Sequence, residues 1–411
     1  MNKPHYQTGL KQNWPQFSLL VLINAFVGGM VGLERTILPE LAETEFGIAA
    51  RTAIFSFIIV FGFTKAAANY AAGRFSARYG RKNMLIAGWL FGIPVPFVLM
   101  FAPDWNWIIA ANVLLGINQG LAWSANVIMK IDLAGEKDRG LAMGLNEFAG
   151  YLAVAVVAFL TGWIAAEFGL RPYPFLLGIG LSVLGLLLTI FFVKDTAGFV
   201  QTESAQSALE QTRKPVFMEV SWANRSLMSV SQAGLLTNFK DGMAWGIFPI
   251  FLLAAGLSLP QAGLVIAVYP ACWGLFQVAT GKLSDYTGRR GMLTGGMMVQ
   301  GLSLLAFTYA GGYGGYLLTA ALLGIGTAMV YPVFLAAIAD LVHPADRAES
   351  VGVFRLWRDS GYAFGALFAG LIADRFSIEA AMLATAALLL LSAAVIALKY
   401  RNAAPKTGVQ P

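Results

Sequence analysis

Nine ionisable side chains interrupt the long apolar segments of this sequence, and they are the residues best placed to do chemistry. They are Glu34, Arg35, Lys65, Glu147, Lys240, Asp241, Arg355, Arg358 and Asp359. A carboxyl group in an apolar segment can take up and release a proton, and a cation there can bind an anionic group. An unpaired charge at the centre of a membrane helix costs roughly 2.5–3.5 kcal/mol on insertion scales. Such residues must therefore pair with one another or line a path that water can enter.

Their spacing leaves two interpretations open. Arg355 and Asp359 lie four residues apart, so on a helix they share a face and can pair. Glu34 and Arg35 are adjacent and point about 100° apart, so only one of them can face a given direction squarely. The whole set predicts either a permanent ion network or a site for protons and solute.

Enzymatic motifs are missing from the sequence. It contains no HExxH, no GxSxG, no GxxxxGK[ST] and no GxGxxG pattern, and its two histidines are His5 and His343. We therefore expect no enzyme, no cofactor and no metal site. A receptor or scaffold without turnover is a further alternative.

Composition indicates which elements carry these residues. Of the 411 residues, 57% are hydrophobic and 12% are charged, whereas soluble domains have about 25% charged residues. The apolar runs, such as residues 175–193, are long enough for a membrane helix, which needs roughly 20 residues. A membrane β-barrel would instead alternate apolar and polar residues over about 10 positions. The chain is thus expected to be an all-α protein in a lipid bilayer, and its net charge of +6 does not indicate nucleic-acid binding.

Polar and Gly/Pro-rich breaks predict twelve transmembrane helices in two groups of six. The expected spans are 16–39, 52–73, 83–101, 107–130, 140–166, 172–193, 223–253, 260–281, 291–311, 314–340, 348–373 and 378–399. The corresponding domains are an N-terminal six-helix bundle (1–194), a cytoplasmic linker (195–222), a C-terminal six-helix bundle (223–400) and a cytoplasmic tail (401–411).

Basic residues set the expected orientation. Most of the 28 Lys and Arg residues fall on the side of both termini, whereas the other side carries only Arg51, Arg171 and Arg375. Cytoplasmic loops carry this excess, so both termini are expected in the cytoplasm. The expected location is the inner (cytoplasmic) membrane of a cell.

The two halves repeat each other at a constant offset of 208 residues. Gly73 corresponds to Gly281, Arg81 to Arg289, Asp132 to Asp340 and Glu147 to Arg355. Two six-helix units in one orientation imply a pseudo-two-fold axis along the membrane normal, with a solute site near the midplane between them.

One loop of each half carries the same motif: GRFSARYGRK from Gly73 to Lys82, and GKLSDYTGRR from Gly281 to Arg290. With this motif, the repeat and the linker, the chain resembles the major facilitator superfamily. The motif's glycines allow close approach of two helices, and by the resemblance its acid helps latch one state. Ala77 replaces that acid in the first copy. The gating residues implied are Gly73, Arg78, Gly80, Arg81, Asp132, Arg139, Gly281, Asp285, Gly288, Arg289, Arg290, Asp340 and Arg347.

The resemblance also implies a cavity lined by the first, fourth, seventh and tenth helices. The substrate-binding residues expected there are Glu34, Arg35, Asn118, Gln119, Trp123, Asn126, Asn238, Lys240, Asp241 and Tyr331. The proton-coupling candidates are Glu34, Glu147 and Asp241. An intramembrane ion network is expected among Lys65, Glu147, Arg355, Arg358 and Asp359. The second and eleventh helices are neighbours in the superfamily, so a Lys65–Asp359 pair is an alternative, with Lys65 about 12 Å deep at 1.5 Å per residue.

The sequence thus predicts a secondary active transporter that works by alternating access. The first hypothesis is proton-coupled export (antiport) of a small organic solute by a monomer, with the solute, protons and the lipid bilayer as partners. The layout is nearest to bacterial drug:proton antiporters, although Asn112 stands where they often carry Arg, and the fifth span lacks their Gly-Pro motif. The second hypothesis is a proton-coupled uptake symporter or an anion exchanger that uses Arg35, Lys240 or Arg358.

Overall fold

The computed structural model describes residues 6–48, 50–207, 209, 211 and 214–402, and in these ranges the chain forms helices and no β-strand. The first half contains nine α-helices: α1 Trp14–Arg35, α2 Leu38–Thr44, α3 Ala50–Tyr79, α4 Arg81–Gly92, α5 Pro94–Phe101, α6 Trp105–Asn118, α7 Ser124–Ala134, α8 Arg139–Phe168 and α9 Leu176–Phe192. A π-helical turn, Gln119–Trp123, joins α6 to α7, so these two helices form one continuous rod.

The linker and the second half contain eight more: α10 Ala197–Gln206, α11 Val216–Met218, α12 Arg225–Ala254, α13 Leu259–Thr287, α14 Arg289–Thr308, α15 Gly312–Leu341, α16 Arg347–Arg375 and α17 Ile378–Lys399. A second π-helical turn, Glu219–Ala223, lies between α11 and α12. Short 3₁₀ turns precede α9 and α16.

Within the described residues, nine helical segments are long and apolar enough to cross a membrane, which confirms a multi-pass membrane protein. Helices α3, α12 and α16 have 29 or 30 residues each but are less apolar. They carry six of the nine charges singled out above, which lowers their hydropathy. The expected count of twelve membrane spans stays a prediction. It requires α3, α12 and α16 to be the three remaining spans.

The two motif loops have the same backbone. Gly80 and Gly288 have φ of 85° and 84° and stand immediately before α4 and α14. Glycine adopts this positive φ without the steric cost that a side chain brings. The sequence repeat is therefore matched by a repeated turn. We call the end of the bundle that carries these loops the loop face.

The halves meet along two seams, α3 against α16 and α8 against α13. Both seams include direct backbone contacts at the loop face. A methyl group added to Gly73 would overlap the backbone of Ala348 and Gly352, and one added to Gly140 would overlap the carbonyl oxygen of Gly281. Glycines at these positions allow direct backbone contact, as the motif predicted.

Helix α3 extends beyond the expected membrane span. It continues from residue 73, where that span ends, to Tyr79, and α3 packs on α16. At 1.5 Å per residue, Lys65 therefore lies about 21 Å from that helix end instead of 12 Å. Lys130, the last residue of the expected span 107–130, is fully buried in α7. Most of the tail, residues 403–411, lies outside the described part of the chain.

Candidate functional site

Asp359 of α16 is the centre of a polar network between the halves. Its Oδ1 accepts from Arg358 Nε at 2.6 Å and from Asn238 Nδ2 at 3.2 Å. Its Oδ2 accepts from Asn69 Nδ2 at 2.6 Å, across the α3–α16 seam. Asn69 in turn accepts from the Ser124 hydroxyl at 2.6 Å, so four helices hold one carboxylate. Asp359 is fully buried, and these partners satisfy both of its oxygens.

Neither expected partner of Asp359 pairs with it. In the described structure no carboxylate lies within 4.0 Å of the Lys65 ammonium or of Arg355, so the Lys65–Asp359 and Arg355–Asp359 pairs were wrong. Asn69, one turn after Lys65, occupies the place next to Asp359 instead. The Lys65 ammonium lies over two aromatic rings, 5.2 Å from the centroid of Trp123 and 5.5 Å from that of Phe61.

Arg355 and Glu147 occupy equivalent positions of the two halves and are both buried. Glu147 Oε1 accepts from Asn146 Nδ2 at 2.6 Å, whereas its Oε2 has no hydrogen-bond partner. Arg355 has two nitrogens, Nε and Nη1, without partners. Glu147 lies close enough to Arg355 and to Lys130 to interact electrostatically with both. Glu147 therefore stands between a cation of its own half and a cation of the other half.

Lys240 and Asp241 form a separate network inside the C-terminal half. Lys240 Nζ lies 3.0 Å from Asp241 Oδ1 and donates to Tyr269 OH at 2.7 Å and to Thr327 Oγ1 at 2.7 Å. It also donates to Gln300 Oε1 at 3.1 Å. Tyr269 donates to Asp241, whose Oδ2 has no partner. With its donors occupied, Lys240 is held by α12, α13, α14 and α15, which leaves it little capacity to bind an anion.

Glu34 and Arg35 end α1 in different surroundings, as their spacing predicted. Glu34 is 2% exposed, within hydrogen-bonding range of Asn112, and its Oε2 has no partner. Arg35 is exposed, and its charge acts on Glu34 and on Lys65. The pair thus places one buried carboxyl and one solvent-accessible cation beside the Lys65 region.

Aromatic rings fill the α8–α13 seam at the depth of Asp359. The ring of Tyr151 lies 4.3 Å from that of Trp273, 5.6 Å from that of Trp123 and 5.8 Å from that of Tyr331. Tyr331 OH donates to Asn238 Oδ1 at 2.8 Å and so joins the aromatic cluster to the Asp359 network. Trp273 thus lies in an aromatic cluster that touches both halves.

The polar residues of the fourth expected span divide into two groups. Asn118 Nδ2 binds the carbonyl of Gly88 at 2.9 Å and Gln119 Nε2 binds that of Val27 at 2.7 Å, so both join helices within the first half. Trp123 Nε1 and both polar atoms of Asn126 are buried without a partner. The π-helical turn that ends at Trp123 aims this ring at Lys65, and such turns are frequent at functional sites. Free hydrogen-bonding capacity therefore remains on Trp123 and Asn126, and on the Oε1 atom of Gln119.

The gating residues of the second motif form a network that crosses the loop face. Asp285 Oδ1 accepts from the Gly140 amide at 2.9 Å and lies 2.9 Å from Arg289 Nη1. Asp340 bridges Arg289 Nε at 2.9 Å and Arg139 Nη1 at 3.0 Å. This network fastens the start of α8 to the second half.

The equivalent network of the first motif is assembled differently. Asp132 lies 3.4 Å from Arg81 Nε and 3.8 Å from Arg347 Nη1. No acid stands at Ala77 to bind the start of α16. Instead, Glu203 of the linker helix α10 lies 2.8 Å from Arg347 Nη2 and 2.7 Å from Arg139 Nη2. The linker thus contributes a carboxylate that bridges one arginine of each half.

Electrostatics favour a charged Glu203. Partial burial by itself would raise its pKa, but the hydrogen bonds and charges of Arg347 and Arg139 outweigh burial and hold the pKa of Glu203 below its usual value. Two of the expected gating residues lie outside both networks: Arg78 contacts the ring of Tyr79, and Arg290 binds Asn402 and Ala397 beside its own helix.

Comparison with known sequences decides the family. A sequence model described as the Major Facilitator Superfamily matches residues 18–239 and again residues 230–411. The chain belongs to the Major Facilitator Superfamily. It is therefore a membrane transporter with the fold of secondary transporters, and not an enzyme.

Known members of the superfamily resemble the chain over nearly its whole length. It is 23% identical over 391 residues to STM4428, an uncharacterised transporter of Salmonella typhimurium, covering 90% of this chain and 93% of that protein. It is 24% identical over 415 residues to the multidrug resistance protein MdtG of Enterobacter lignolyticus, covering 97% and 95%. The crystal structure of the transporter FucP in its outward conformation superposes with a TM-score of 0.75 at 12% identity, covering 94% and 98%. At this identity the structural likeness shows the fold alone.

Several residues of the Asp359 network, the aromatic cluster and the loop-face networks were not predicted from the sequence. They are Asn69, Lys130, Tyr151, Glu203 and Tyr269. Asn69 lies one turn after Lys65, and Glu203 is an acid in a short helical pattern of the linker, so spacing gave some signal for both. Tyr151 and Tyr269 lie in apolar runs that look like ordinary packing, and nothing in the local sequence distinguishes them.

Proposed function

We propose that this transporter exports a small organic solute in exchange for protons by alternating access. The observation that carries the proposal is the position of Glu147. It is buried near the seams between cations of the two halves, Lys130 and Arg355, with one oxygen free to bind a proton. Protonation removes the attraction between Glu147 and Arg355. Proton binding at this carboxyl therefore weakens contact between halves that must separate and rejoin during transport.

Glu34 and Asp241 support the proposal less directly. Glu34 also has a free buried oxygen, but it lies at the far end of α1 and contacts Asn112 of its own half. Asp241 is paired with Lys240 inside the second half. Glu147 is the one of the three whose charge acts on both halves, so we assign the coupling proton to it and treat Glu34 as a second proton site.

Export is supported by relatives, since MdtG carries the name of a multidrug resistance protein. These relatives are bacterial, which supports the inner membrane as the location. We also propose that both termini lie in the cytoplasm, that the 195–222 linker joins two six-helix domains, and that the monomer is the working unit. The network at the loop face holds the two halves together on that side of the bundle.

Proteoliposomes that contain a pH-sensitive dye test the proposal. In an antiporter, solute added outside enters and drives protons out, so the lumen becomes alkaline; in a symporter the lumen becomes acidic. Protein-free liposomes correct for passive permeation. Glu147→Gln should abolish proton movement, and Glu167→Gln, an exposed acid at the other end of the same helix, should leave it unchanged. Full proton movement in Glu147→Gln would reject the coupling site.

The second candidate, a symporter or anion exchanger, is favoured by a surplus of buried cations. Lys65, Lys130, Arg355 and Arg358 are buried, and Asp359 and Glu147 are the acids that act on them. Its test is the sign of the same dye signal: acidification of the lumen supports symport, and solute exchange without any pH change supports an anion exchanger.

A further inference from the structure

Equivalent central positions of the two halves carry different types of side chain. At the offset that pairs Gly73 with Gly281, Lys65 corresponds to Trp273, Trp123 to Tyr331, and Tyr151 to Asp359. The contacts repeat as well: Lys65 lies 5.2 Å from the ring centre of Trp123, and Trp273 lies 4.7 Å from that of Tyr331. Equivalent positions of the two halves therefore make similar contacts with side chains of different chemical type.

The side chains at the α8–α13 seam are aromatic. Tyr151 and Trp273 meet there with ring centres 4.3 Å apart, and Tyr331 lies against both. Flat aromatic surfaces of this kind pack against the apolar body of a ligand.

The α3–α16 side is cationic. Asp359 is satisfied by Arg358, Asn238 and Asn69, which leaves Lys65 without a hydrogen bond or ion pair in the described structure. Lys65 is 7% exposed and experiences the charges of Arg355 and Arg358 as well as that of Asp359.

Donors without partners surround the same region. Arg355 is 1% exposed with Nε and Nη1 free, and Trp123 is 3% exposed with Nε1 free. Buried polar groups are usually hydrogen-bonded, and a buried donor without a partner costs about 1–3 kcal/mol. The free groups of Arg355 and Trp123 are donors, so an acceptor group of a ligand would satisfy them.

We propose that the transported solute is an organic anion with a flat apolar body, whose carboxylate binds Lys65 and Arg355 while its body packs against Tyr151, Trp273 and Tyr331. This inference rests on the proposed transport function and specifies its substrate class. Lys240 and Arg358, considered from the sequence as anion ligands, are already bound to acids. Lys65 and Arg355 are the anchors because neither has a carboxylate within 4.0 Å in the described structure.

Binding to the purified full-length protein tests the proposal. The probes are benzoate, cinnamate and indole-3-acetate, each matched with its uncharged carboxamide. At least one carboxylate should raise the melting temperature and change the tryptophan fluorescence saturably, and its carboxamide should bind at least about tenfold more weakly, which corresponds to 1.4 kcal/mol. No binding by any carboxylate, or equal binding by the carboxamides, overturns the proposal.

Substitutions separate a binding role of Lys65 from a structural one. Lys65→Gln should abolish the carboxylate response yet leave the melting temperature without ligand unchanged or higher, because an unpaired buried charge has been removed. Lys65→Arg should retain binding, and Lys11→Gln, an exposed lysine, should behave as wild type. A lower melting temperature of ligand-free Lys65→Gln, or unchanged carboxylate affinity, shows a structural lysine and overturns the proposal.

The proton-flux assay distinguishes this inference from the proposed function. A neutral or cationic solute that drives proton exit through the wild-type protein, without competition from the carboxylates, overturns the anion site and leaves proton-coupled export standing. A carboxylate that binds at Lys65 and crosses the membrane without proton movement supports the anion site and overturns proton-coupled export.

Discussion

The Asp285 carboxylate caps the first turn of a helix in the other half of the molecule: its Oδ1 lies 2.9 Å from the backbone nitrogen of Gly140. A carboxylate at a helix N-terminus is favoured by free amide groups and by the helix dipole. Asp285→Asn should therefore weaken closure of the loop face by about 1–2 kcal/mol, roughly a tenfold change in the ratio of closed to open molecules.

Spin labels at Lys137 and Tyr286, both exposed beside the seam, report that ratio as a distance distribution in a Cys272→Ser background. Asp104→Asn is the matched control, since Asp104 caps α6 with a similar bond but contacts no residue of the other half in its capping role. An unchanged distribution in Asp285→Asn would show that the cap does not hold the loop face closed.

Close backbone contact at the α8–α13 seam should be sensitive to a single methyl group. Gly281→Ala would overlap the backbone of Gly140, so the halves must separate locally, and we expect solute transport to fall by at least about tenfold. Gly274→Ala lies on the same helix with nothing within 4 Å and should transport as wild type. Equal transport by both variants would contradict a requirement for the contact.

Closure of the loop face should depend on pH through Glu203. Because its pKa is held below the usual value near 4.5, the charged form stabilises the closed state fully above that value and loses this effect as the pH falls through the lowered pKa. We expect no change between about pH 6 and 8 and progressive opening below about pH 4.5. The same spin-label distances measure it. The Glu203→Gln variant should have a more open loop face at neutral pH and should show no further opening in acid. Acid-induced opening of unchanged size in this variant would assign the titration to another group.

The hydrogen bond from Asn69 to Asp359 should stabilise the folded protein. Asn69→Leu removes a 2.6 Å hydrogen bond and leaves one oxygen of the buried Asp359 carboxylate unsatisfied, which should destabilise the protein by about 1–3 kcal/mol. Thermal unfolding in detergent measures the loss. Asn83→Leu, at an exposed asparagine that bonds to the carbonyl of Tyr79 in its own region of the chain, should change little, and equal effects would refute the special role of Asn69.

The Lys240–Asp241 pair should behave as a unit. Each single change, Lys240→Met or Asp241→Asn, leaves a buried charge without its partner and should cost about 3–5 kcal/mol. The double variant should lose clearly less than the sum of the two, because no unpaired charge remains. Melting temperatures of the four proteins complete the cycle, and strictly additive losses would argue against a mutual interaction.

Much of the architecture follows from the sequence. Apolar runs such as 175–193 have the length of a membrane helix, and the glycines and cations of Gly73–Lys82 and Gly281–Arg290 mark equivalent loops. These features are local, since each depends on residues within one helix or one turn. The buried charges were also recognisable, because a charge in an apolar run is conspicuous wherever its helix packs.

The partners of those charges were decided only by the tertiary structure. Asp359 binds Asn69 and not Lys65, and Glu203 of the linker bridges Arg347 and Arg139. A partner across a seam depends on the relative depth and rotation of two helices, and a shift of a single turn exchanges Lys65 for Asn69. Spacing within one helix carries no information about that shift. The sequence therefore determined which residues must find partners, and packing of the two halves determined which partners they found.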